Sequence, residues 1–254
     1  MTRYDDPIEL AAVVAAAARP TLIGLDVDGV LAPIVAHASE ARLLEGVSEA
    51  LSALEDDEQI HIAVVSGRSI ADLDRFGFSP GIALIGSHGM ETRGHSMPRL
   101  SQQEVDRLAE LSKLTTIAAA EAGKGAWVET KPASVVLHVR EADAITGESA
   151  IQSLRVAATA IDGTAIKAGS AVLELLARPA DKGSAITRYK AEVGAATTVF
   201  VGDDVTDEDA FAALGHSDIT IKVGDAATVA SYRLNDPHDV LRWIRQVHEV
   251  LHTG

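Results

Sequence analysis

The chain has 254 residues, 47% hydrophobic and 23% charged, which is enough to build one large or two modest packed domains. Its formal net charge of −15 makes nucleic acid and anionic membranes poor partners. The absence of cysteine excludes disulfides, thiolate metal sites and cysteine nucleophiles, and it agrees with a cytoplasmic location.

The first segment of the chain does not have the pattern of a signal peptide. Alanine-rich residues 11–18 form a short apolar stretch, but acidic residues precede it and Arg19-Pro20 follows it. We therefore expect a helix over residues 7–18. No apolar run approaches the ~20 residues that a membrane-spanning helix needs.

An apolar run over residues 21–26 predicts the first strand, of the kind that is covered on both faces of a parallel sheet. It leads into Asp26 and Asp28, two carboxylates that stability alone does not explain. We interpret Asp26 as a nucleophile and Asp28 as its general acid. A loop is predicted over residues 29–38, followed by a helix that Ser39 caps.

Two further strands are predicted over residues 60–65 and 82–85. The first ends in Ser66-Gly67-Arg68, before a helix with Ser69 as its N-cap, and the second ends in a glycine turn that contains His88. Strands followed by glycine turns and helices indicate βαβ units and a parallel sheet. Ligands bind such sheets outside the carboxyl ends of the strands.

After about residue 93 the pattern changes to helix, strand, strand, helix, strand, strand. The predicted elements are residues 100–121, 126–131, 134–140, 142–160, 164–168 and 171–177, with a hairpin signal at Gly169-Ser170. We interpret residues 93–177 as an inserted α+β cap domain that sets substrate specificity. Residues 1–92 and 178–254 then form one discontinuous core domain.

The strands of the cap domain alternate between apolar and polar side chains. Trp127, Glu129 and Lys131 share one face of their strand, and Glu174 lies opposite its two leucine neighbours. The cap therefore offers one apolar face to its helices and one polar face. Solvation alone could explain the polar face, but Trp127 among the charges favours a contact surface.

The last part of the chain returns to the first pattern. Asp181-Lys182-Gly183 opens a helix that runs to about residue 193. A fourth strand, residues 197–201, precedes the carboxylates Asp203, Asp204 and Asp207. A fifth strand over 218–223 and a closing amphipathic helix follow.

In a parallel sheet, the motifs at these strand ends meet at one edge. Several carboxylates there repel each other unless a cation sits among them, and hard oxygen ligands suit Mg²⁺. Lys182 supplies a positive point charge. Ser66, with the N–H groups of Gly67 and Arg68, forms an anion cradle. These parts match the needs of phosphoryl transfer.

The same residues resemble the four motifs of the haloacid dehalogenase superfamily: Asp26-Val-Asp-Gly-Val, Ser66-Gly-Arg, Lys182 and Gly202-Asp-Asp-x-x-Asp207. This resemblance implies a Rossmann-like α/β core with a parallel sheet and an inserted α+β cap of the C2 type, in the order αββαββ. Within the superfamily, the chain is most similar to the trehalose-6-phosphate phosphatases. The residues that carry this second similarity are Gly86-Ser-His-Gly-Met-Glu91, Val128-Glu-Thr-Lys131, Leu137-His-Val-Arg140, Arg178-Pro-Ala-Asp-Lys-Gly183 and Gly202–Phe211.

The resemblance implies a Mg²⁺-dependent phosphatase that converts trehalose 6-phosphate to trehalose and phosphate through an aspartyl-phosphate. Asp26, the Asp28 carbonyl and Asp203 would hold Mg²⁺, supported by Asp204 and Asp207. Phosphate would be bound by Ser66, Gly67 and Lys182, and the rest of the substrate by Arg68, His88, Glu129, Lys131 and Glu174. Val30 departs from the threonine that is common in the first motif, with a modest expected effect. A monomer is favoured.

Three alternatives stay open. The chain could be a phosphatase for another sugar phosphate or a phosphoglycerate derivative, or a phosphomutase, and the polar face of the cap would decide between them. A phospho-accepting signalling receiver also clusters aspartates and a lysine, but it needs neither Asp28 nor a cap. A regulator that binds sugar phosphate without catalysis is disfavoured, because every catalytic position is filled.

Overall fold

The computed structural model describes residues 4–35, 37–95 and 99–253. Three sequence predictions fall partly outside these ranges: the N-terminal segment before Tyr4, the first loop at Ala36 and the start of the cap at residues 96–98. The chain divides into two compact units. The core unit is Met1–Met97 with Asp181–Gly254, and the cap unit is Pro98–Ala180. None of the helices in the described ranges has the length and apolar character needed to cross a membrane.

The core unit alternates strands and helices. Its strands are β1 (Thr21–Leu25), β2 (Ile60–Val65), β3 (Ala83–Gly86), β4 (Glu91–Thr92), β9 (Thr197–Gly202), β10 (Ile219–Val223) and β11 (Tyr232–Leu234). Its helices are α1 (Pro7–Ala15), α2 (Val47–Glu55), α3 (Ile70–Asp74), α6 (Lys182–Val193), α7 (Glu208–Ala213) and α8 (Pro237–Thr253).

The core strands form one sheet in the order β11-β10-β9-β1-β2-β3-β4. All neighbours are parallel except β3 and β4. This confirms the predicted α/β core, and β2 has the predicted bounds. The sequence did not indicate β4 or β11, because these edge strands have only two and three residues and no apolar run.

The helix predicted from Ser39 begins later than expected, at Val47. A short 3-10 turn, Ala38–Glu40, stands in its place. Gly46 precedes the helix with φ of 92°, a left-handed value that ends any continuous helix there. Leu44 donates its N–H to the Leu31 carbonyl at 2.9 Å, so the intervening segment follows the first loop. The periodic apolar residues of the sequence therefore lie partly in a loop and partly in a helix.

Two smaller differences concern helix length. Helix α1 ends at Ala15 rather than at residue 18. Helix α7 was not predicted, because it has six residues and begins with the acidic pair Glu208 and Asp209, which extends the preceding carboxylate run.

The cap unit has the predicted order of elements. They are α4 (Gln102–Ala122), β5 (Trp127–Thr130), β6 (Ser134–His138), α5 (Ala144–Thr159), β7 (Ala165–Gly169) and β8 (Val172–Leu176). The strands form an antiparallel sheet in the order β5-β6-β8-β7, which confirms the α+β character of the insert and its second hairpin. Arg178, which we expected to begin the core, instead pairs with Glu104 of α4 at 2.7 Å, and the core resumes at Asp181.

The cap sheet has the two different faces that the alternation predicts. Its apolar side chains pack with α4 and α5 around Leu111, Leu137 and Leu173. Across the opposite face, Glu129, Val136, Glu174 and Lys167 lie in register on β5, β6, β8 and β7. Trp127 is directly opposite His138 on the same face.

Candidate active site

The carboxyl ends of β9, β1 and β2 are adjacent in the core sheet and carry the predicted motifs. Asp26 follows β1 and donates its backbone N–H to the Val201 carbonyl at 3.0 Å. Ser66 follows β2 and donates its N–H to the Ile85 carbonyl at 2.9 Å. The parallel topology therefore brings Asp26, Ser66 and the Asp203 turn to one edge, as the sequence predicts.

Lys182 lies between two carboxylates at this edge. Its ammonium is 2.7 Å from Asp26 Oδ2 and 2.7 Å from Asp207 Oδ1, and only 1% of its side chain is exposed. The other oxygen of Asp207 accepts the N–H groups of Asp203 at 2.9 Å and Asp204 at 3.0 Å. Asp207 thus connects the buried lysine to the turn after β9.

Asp26, Asp203 and Asp207 form a group that could hold a cation. Each offers a carboxylate oxygen within 4.8 Å of the others. Burial raises the pKa of Asp26 to about 7, against the opposing charge of Lys182 and with repulsion from Asp207. Burial, with repulsion from Asp26 and Asp207, raises the pKa of Asp203 to about 8. Carboxylates that are costly to ionise together fit a hard divalent cation, which would compensate their charge.

The other two carboxylates predicted at the metal have different side-chain partners. Both oxygens of Asp28 accept hydrogen bonds from Arg68, from Nε and Nη2 at 2.7 Å each. Asp204 Oδ1 accepts the N–H of Val205 at 2.7 Å, so this side chain caps the following turn. The side chains of Asp28 and Asp204 are therefore outside the three-carboxylate group.

Arg68 was predicted to bind substrate, but in this structure it holds Asp28. Its Nη1 also donates to the Ala38 carbonyl at 2.9 Å, and its guanidinium lies 5.3 Å from the centre of the Phe76 ring. A bidentate guanidinium–carboxylate pair fixes the orientation of both groups.

The predicted anion cradle at Ser66 and Gly67 is supported from the next strand end. Ser87 donates its N–H to the Arg68 carbonyl at 2.7 Å, and His88 donates its N–H to the Ser66 carbonyl at 3.0 Å. The His88 ring is buried against Gly67, where a Cβ atom would lie 2.6 Å from its Cε1. His88 therefore contacts the cradle directly.

This supporting turn adopts an unusual backbone conformation. Ser87 and His88 have φ values of 49° and 56°, which are uncommon for residues other than glycine. Glu91 stabilises the turn, because one of its oxygens accepts the Ser87 hydroxyl and the other accepts the N–H of Ile70 at 3.2 Å. We did not predict a role for Glu91 from the sequence; its position at the end of the glycine turn was the available signal.

The cap residues predicted to bind sugar form two neighbouring clusters on the polar face. Glu174 is buried and accepts hydrogen bonds from Lys131 Nζ at 3.2 Å and Ser134 Oγ at 2.5 Å. Glu129 Oε2 is 3.0 Å from His138 Nε2, and this hydrogen bond is the main reason that the pKa of Glu129 is lowered.

Trp127 extends the second cluster. Its ring stacks on that of His138, with centroids 3.8 Å apart and planes within 3°. The contribution of Ser134 and His138 was not predicted, although strand alternation places both on the polar face.

Comparison with known proteins shows which proteins this chain is similar to in sequence and in fold. A family profile described as Trehalose-phosphatase matches residues 24–238. Trehalose-6-phosphate phosphatase from Escherichia coli is 30% identical over 230 residues, which cover 89% of this chain and 86% of that protein. In fold, the chain matches the C-terminal domain of Candida albicans trehalose-6-phosphate phosphatase with a TM-score of 0.85, at 21% identity and with 98% of each chain covered.

A relative from Mycobacterium tuberculosis, described as an uncharacterized glycosyl hydrolase, is 33% identical over 246 residues. The match covers 90% of this chain but only 18% of that protein. The chain therefore corresponds to a small part of a much longer relative in this case.

The close approach of the Asp203 carboxylate to Gly29 gives a first prediction. Gly29 has φ of 72°, and a Cβ atom there would lie 2.1 Å from Asp203 Oδ2. Gly29→Ala should therefore displace the Asp203 carboxylate and lower the free energy of unfolding by at least about 1 kcal/mol. Urea unfolding measures this change. Gly194→Ala is a matched control, since Gly194 also has positive φ, 66°, but no atom near the added methyl. Equal losses for both variants would contradict a specific clash at Asp203.

Proposed function

Because this chain belongs to the trehalose-phosphatase family, we propose that it hydrolyses trehalose 6-phosphate to trehalose and phosphate with Mg²⁺ as its cofactor. The observation that carries this proposal is the buried Lys182 between Asp26 and Asp207, with Asp203 in the same carboxylate group. This arrangement offers a nucleophile, a cation site and a fixed positive charge at one sheet edge. The similarity to the Escherichia coli phosphatase supports the choice of substrate.

In the proposed reaction, a carboxylate oxygen of Asp26 attacks phosphorus and the bond to the sugar oxygen breaks. Asp28 gives its proton to that oxygen, which leaves as the alcohol of trehalose. Asp28 then takes a proton from water as the water oxygen attacks phosphorus, and Asp26 is regenerated. Lys182 and the Ser66–Gly67 cradle bind the phosphate oxygens. Asp26 and Asp203 would hold Mg²⁺, which would supply positive charge to offset the negative charge of the phosphate.

Asp28 can serve the leaving oxygen only when one of its own oxygens is available to it. In this structure both oxygens of Asp28 accept hydrogen bonds from Arg68. We therefore propose that Arg68 exchanges Asp28 for an oxygen of the bound substrate before the first step. This assigns to Arg68 the substrate contact that the sequence predicts.

We further propose that the polar face of the cap selects the sugar. Glu129, Lys131 and Glu174 would hydrogen-bond to sugar hydroxyls. Charged groups form strong hydrogen bonds to hydroxyls, and neighbouring residues already hold these three side chains in place. His138 orients Glu129, and Ser134 orients Glu174. A cytoplasmic location is also proposed, supported by the cysteine-free sequence. That the protein is a monomer remains a prediction.

Replacing the nucleophile tests the chemistry. Asp26→Asn should reduce phosphate release below detection, because a carboxamide does not attack phosphorus at a useful rate. Phosphate release from trehalose 6-phosphate measures the effect, and circular dichroism checks the fold. Asp56→Asn changes an exposed aspartate and should leave turnover unchanged. Substantial turnover by the folded Asp26→Asn variant would refute the assignment.

The raised pKa values predict how Mg²⁺ binding depends on pH. Between about pH 4 and 7 the folded, metal-free protein holds more protons on Asp26 and Asp203 than the unfolded chain does. Stability from these two groups therefore falls as pH rises. Mg²⁺ competes with the same protons, so its affinity should rise by up to about tenfold per pH unit for each proton released.

Thermal unfolding with and without Mg²⁺ at pH 6 and pH 8 measures this dependence. We expect a larger increase in Tm from Mg²⁺ at pH 8. Asp203→Asn should reduce the increase at both pH values. An equal increase at pH 6 and 8 in the unmodified protein would contradict the argument.

The cap assignment is tested with substrates of different size. Glu174→Gln should lower kcat/KM for trehalose 6-phosphate by about 10-fold to 100-fold, the usual effect of losing a charged hydrogen bond. It should leave turnover of acetyl phosphate, which has no sugar, nearly unchanged. Glu148→Gln, on the exposed surface of α5, is the control. An equal loss on both substrates would indicate a structural role for Glu174.

A panel of sugar phosphates tests the choice of substrate. Faster turnover of another sugar phosphate than of trehalose 6-phosphate would favour the alternative that the sequence left open.

A further inference from the structure

A second buried lysine lies in the core unit, and the proposed chemistry gives it no role. Lys222 belongs to β10, where it pairs with Gly202 of β9, and only 1% of its surface is exposed. Its strand neighbours Ile221 and Val223 are apolar and buried. An ammonium group is costly to bury unless charged or polar partners compensate it, so the partners of Lys222 indicate its role.

Those partners belong to the segment that carries the proposed metal ligands. Lys222 Nζ donates to the carbonyl oxygen of Asp204 at 3.3 Å and lies 3.4 Å from Glu208 Oε1. The N–H of Asp204 donates to the Asp207 carboxylate at 3.0 Å. The backbone of Asp204 therefore contacts the buried ammonium of Lys222 through its carbonyl and the buried carboxylate of Asp207 through its N–H. Asp203, the adjacent residue, belongs to the carboxylate group.

Glu208 connects this arrangement to a further loop. Its Oε2 accepts the hydroxyl of Thr228 at 3.1 Å and the N–H of Val229 at 3.0 Å. The carboxylate of Glu208 thus holds Lys222 from one side and the segment before β11 from the other. This network fixes the position of Lys222 next to the turn after β9.

Lys222 and Lys182 differ in what they contact. Lys182 makes ion pairs with the carboxylates of Asp26 and Asp207, so it belongs to the reacting centre. Lys222 instead contacts the Asp204 carbonyl and Glu208. Through space the Lys222 charge repels a cation, so any gain in cation affinity must come from its contact with the backbone beside Asp203.

We propose that Lys222, held by Glu208, is a positioning residue that fixes the Asp203–Asp207 turn in the conformation that binds the divalent cation. The proposal rests on the proposed Mg²⁺ dependence. Cation binding requires Asp26, Asp203 and Asp207 to be ionised together, and their repulsion then favours a displaced turn. Lys222 opposes this displacement without occupying a ligand position, as outer partners of metal ligands do in other sites.

The test compares metal binding by the full chain and its Lys222→Met variant, which has an unbranched side chain only one atom shorter and removes the charge. Isothermal titration calorimetry with Mg²⁺ alone should show affinity that is about 10-fold to 100-fold weaker. The Mg²⁺ concentration for half-maximal phosphatase activity should rise by the same factor. At saturating Mg²⁺, kcat should stay within about threefold of the original value, since Lys222 does not touch the reacting atoms.

Lys190→Met is a matched control. Lys190 also makes an ion pair, with Asp218 at 2.6 Å, but Asp218 holds Thr198 at the start of β9 rather than the acidic turn. This variant should retain the original Mg²⁺ affinity. If Lys222 has only a structural role, Lys222→Met will lower Tm but leave the Mg²⁺ affinity unchanged. That result would overturn the proposal.

Glu208→Gln carries the test if Lys222→Met does not fold. It removes the charge that holds Lys222, while the amide oxygen can still accept from Thr228 and Val229. Several-fold weaker Mg²⁺ binding would support the proposal, and unchanged binding would overturn it. If the unmodified protein binds no Mg²⁺, the proposed cofactor is wrong and this inference falls with it. If it binds Mg²⁺ equally with and without Lys222, only the inference about Lys222 is wrong.

Discussion

The buried ammonium of Lys182 between Asp26 and Asp207 is the interaction on which the rest of the candidate site depends. A charge this deeply buried is stable only with partners, and these come from the end of β1 and the turn after β9, while the lysine begins α6. Three segments that are far apart in sequence must therefore meet. When Asp203 is ionised together with these two, three carboxylates face one ammonium, and a hard divalent cation would offset this excess of negative charge.

Close approaches and left-handed backbone conformations also occur at this sheet edge. The Asp203 and Asp207 carboxylates approach Gly29 and Gly202 so closely that a Cβ atom at either glycine would lie within 2.2 Å of a carboxylate atom. On the β3 side, Ser87 and His88 adopt left-handed conformations while their N–H groups hold the Ser66 loop. Such conformations persist where surrounding contacts fix them, and here the contacts hold the loop that we predict to bind phosphate.

The sequence was a good guide wherever a local pattern determines the structure. Apolar runs located the long core strands, and alternation separated the two faces of the cap sheet. Local patterns failed at α2, where Gly46 rather than Ser39 sets the start. They also cannot identify the partner of a long side chain. Arg68 pairs with Asp28, a residue 40 positions earlier, because of strand order and side-chain direction, and a motif contains neither.

The pair between Arg68 and Asp28 also bears on how Asp28 reaches the reacting atoms. In this structure both of its oxygens accept hydrogen bonds from the guanidinium. On the proposed mechanism an anionic substrate would compete with Asp28 for that guanidinium, and the exchange would leave a carboxyl oxygen of Asp28 available to the leaving group. Loss of the sugar would then let Arg68 return to Asp28. The same contact would therefore hold Asp28 in place between turnovers and release it when substrate binds.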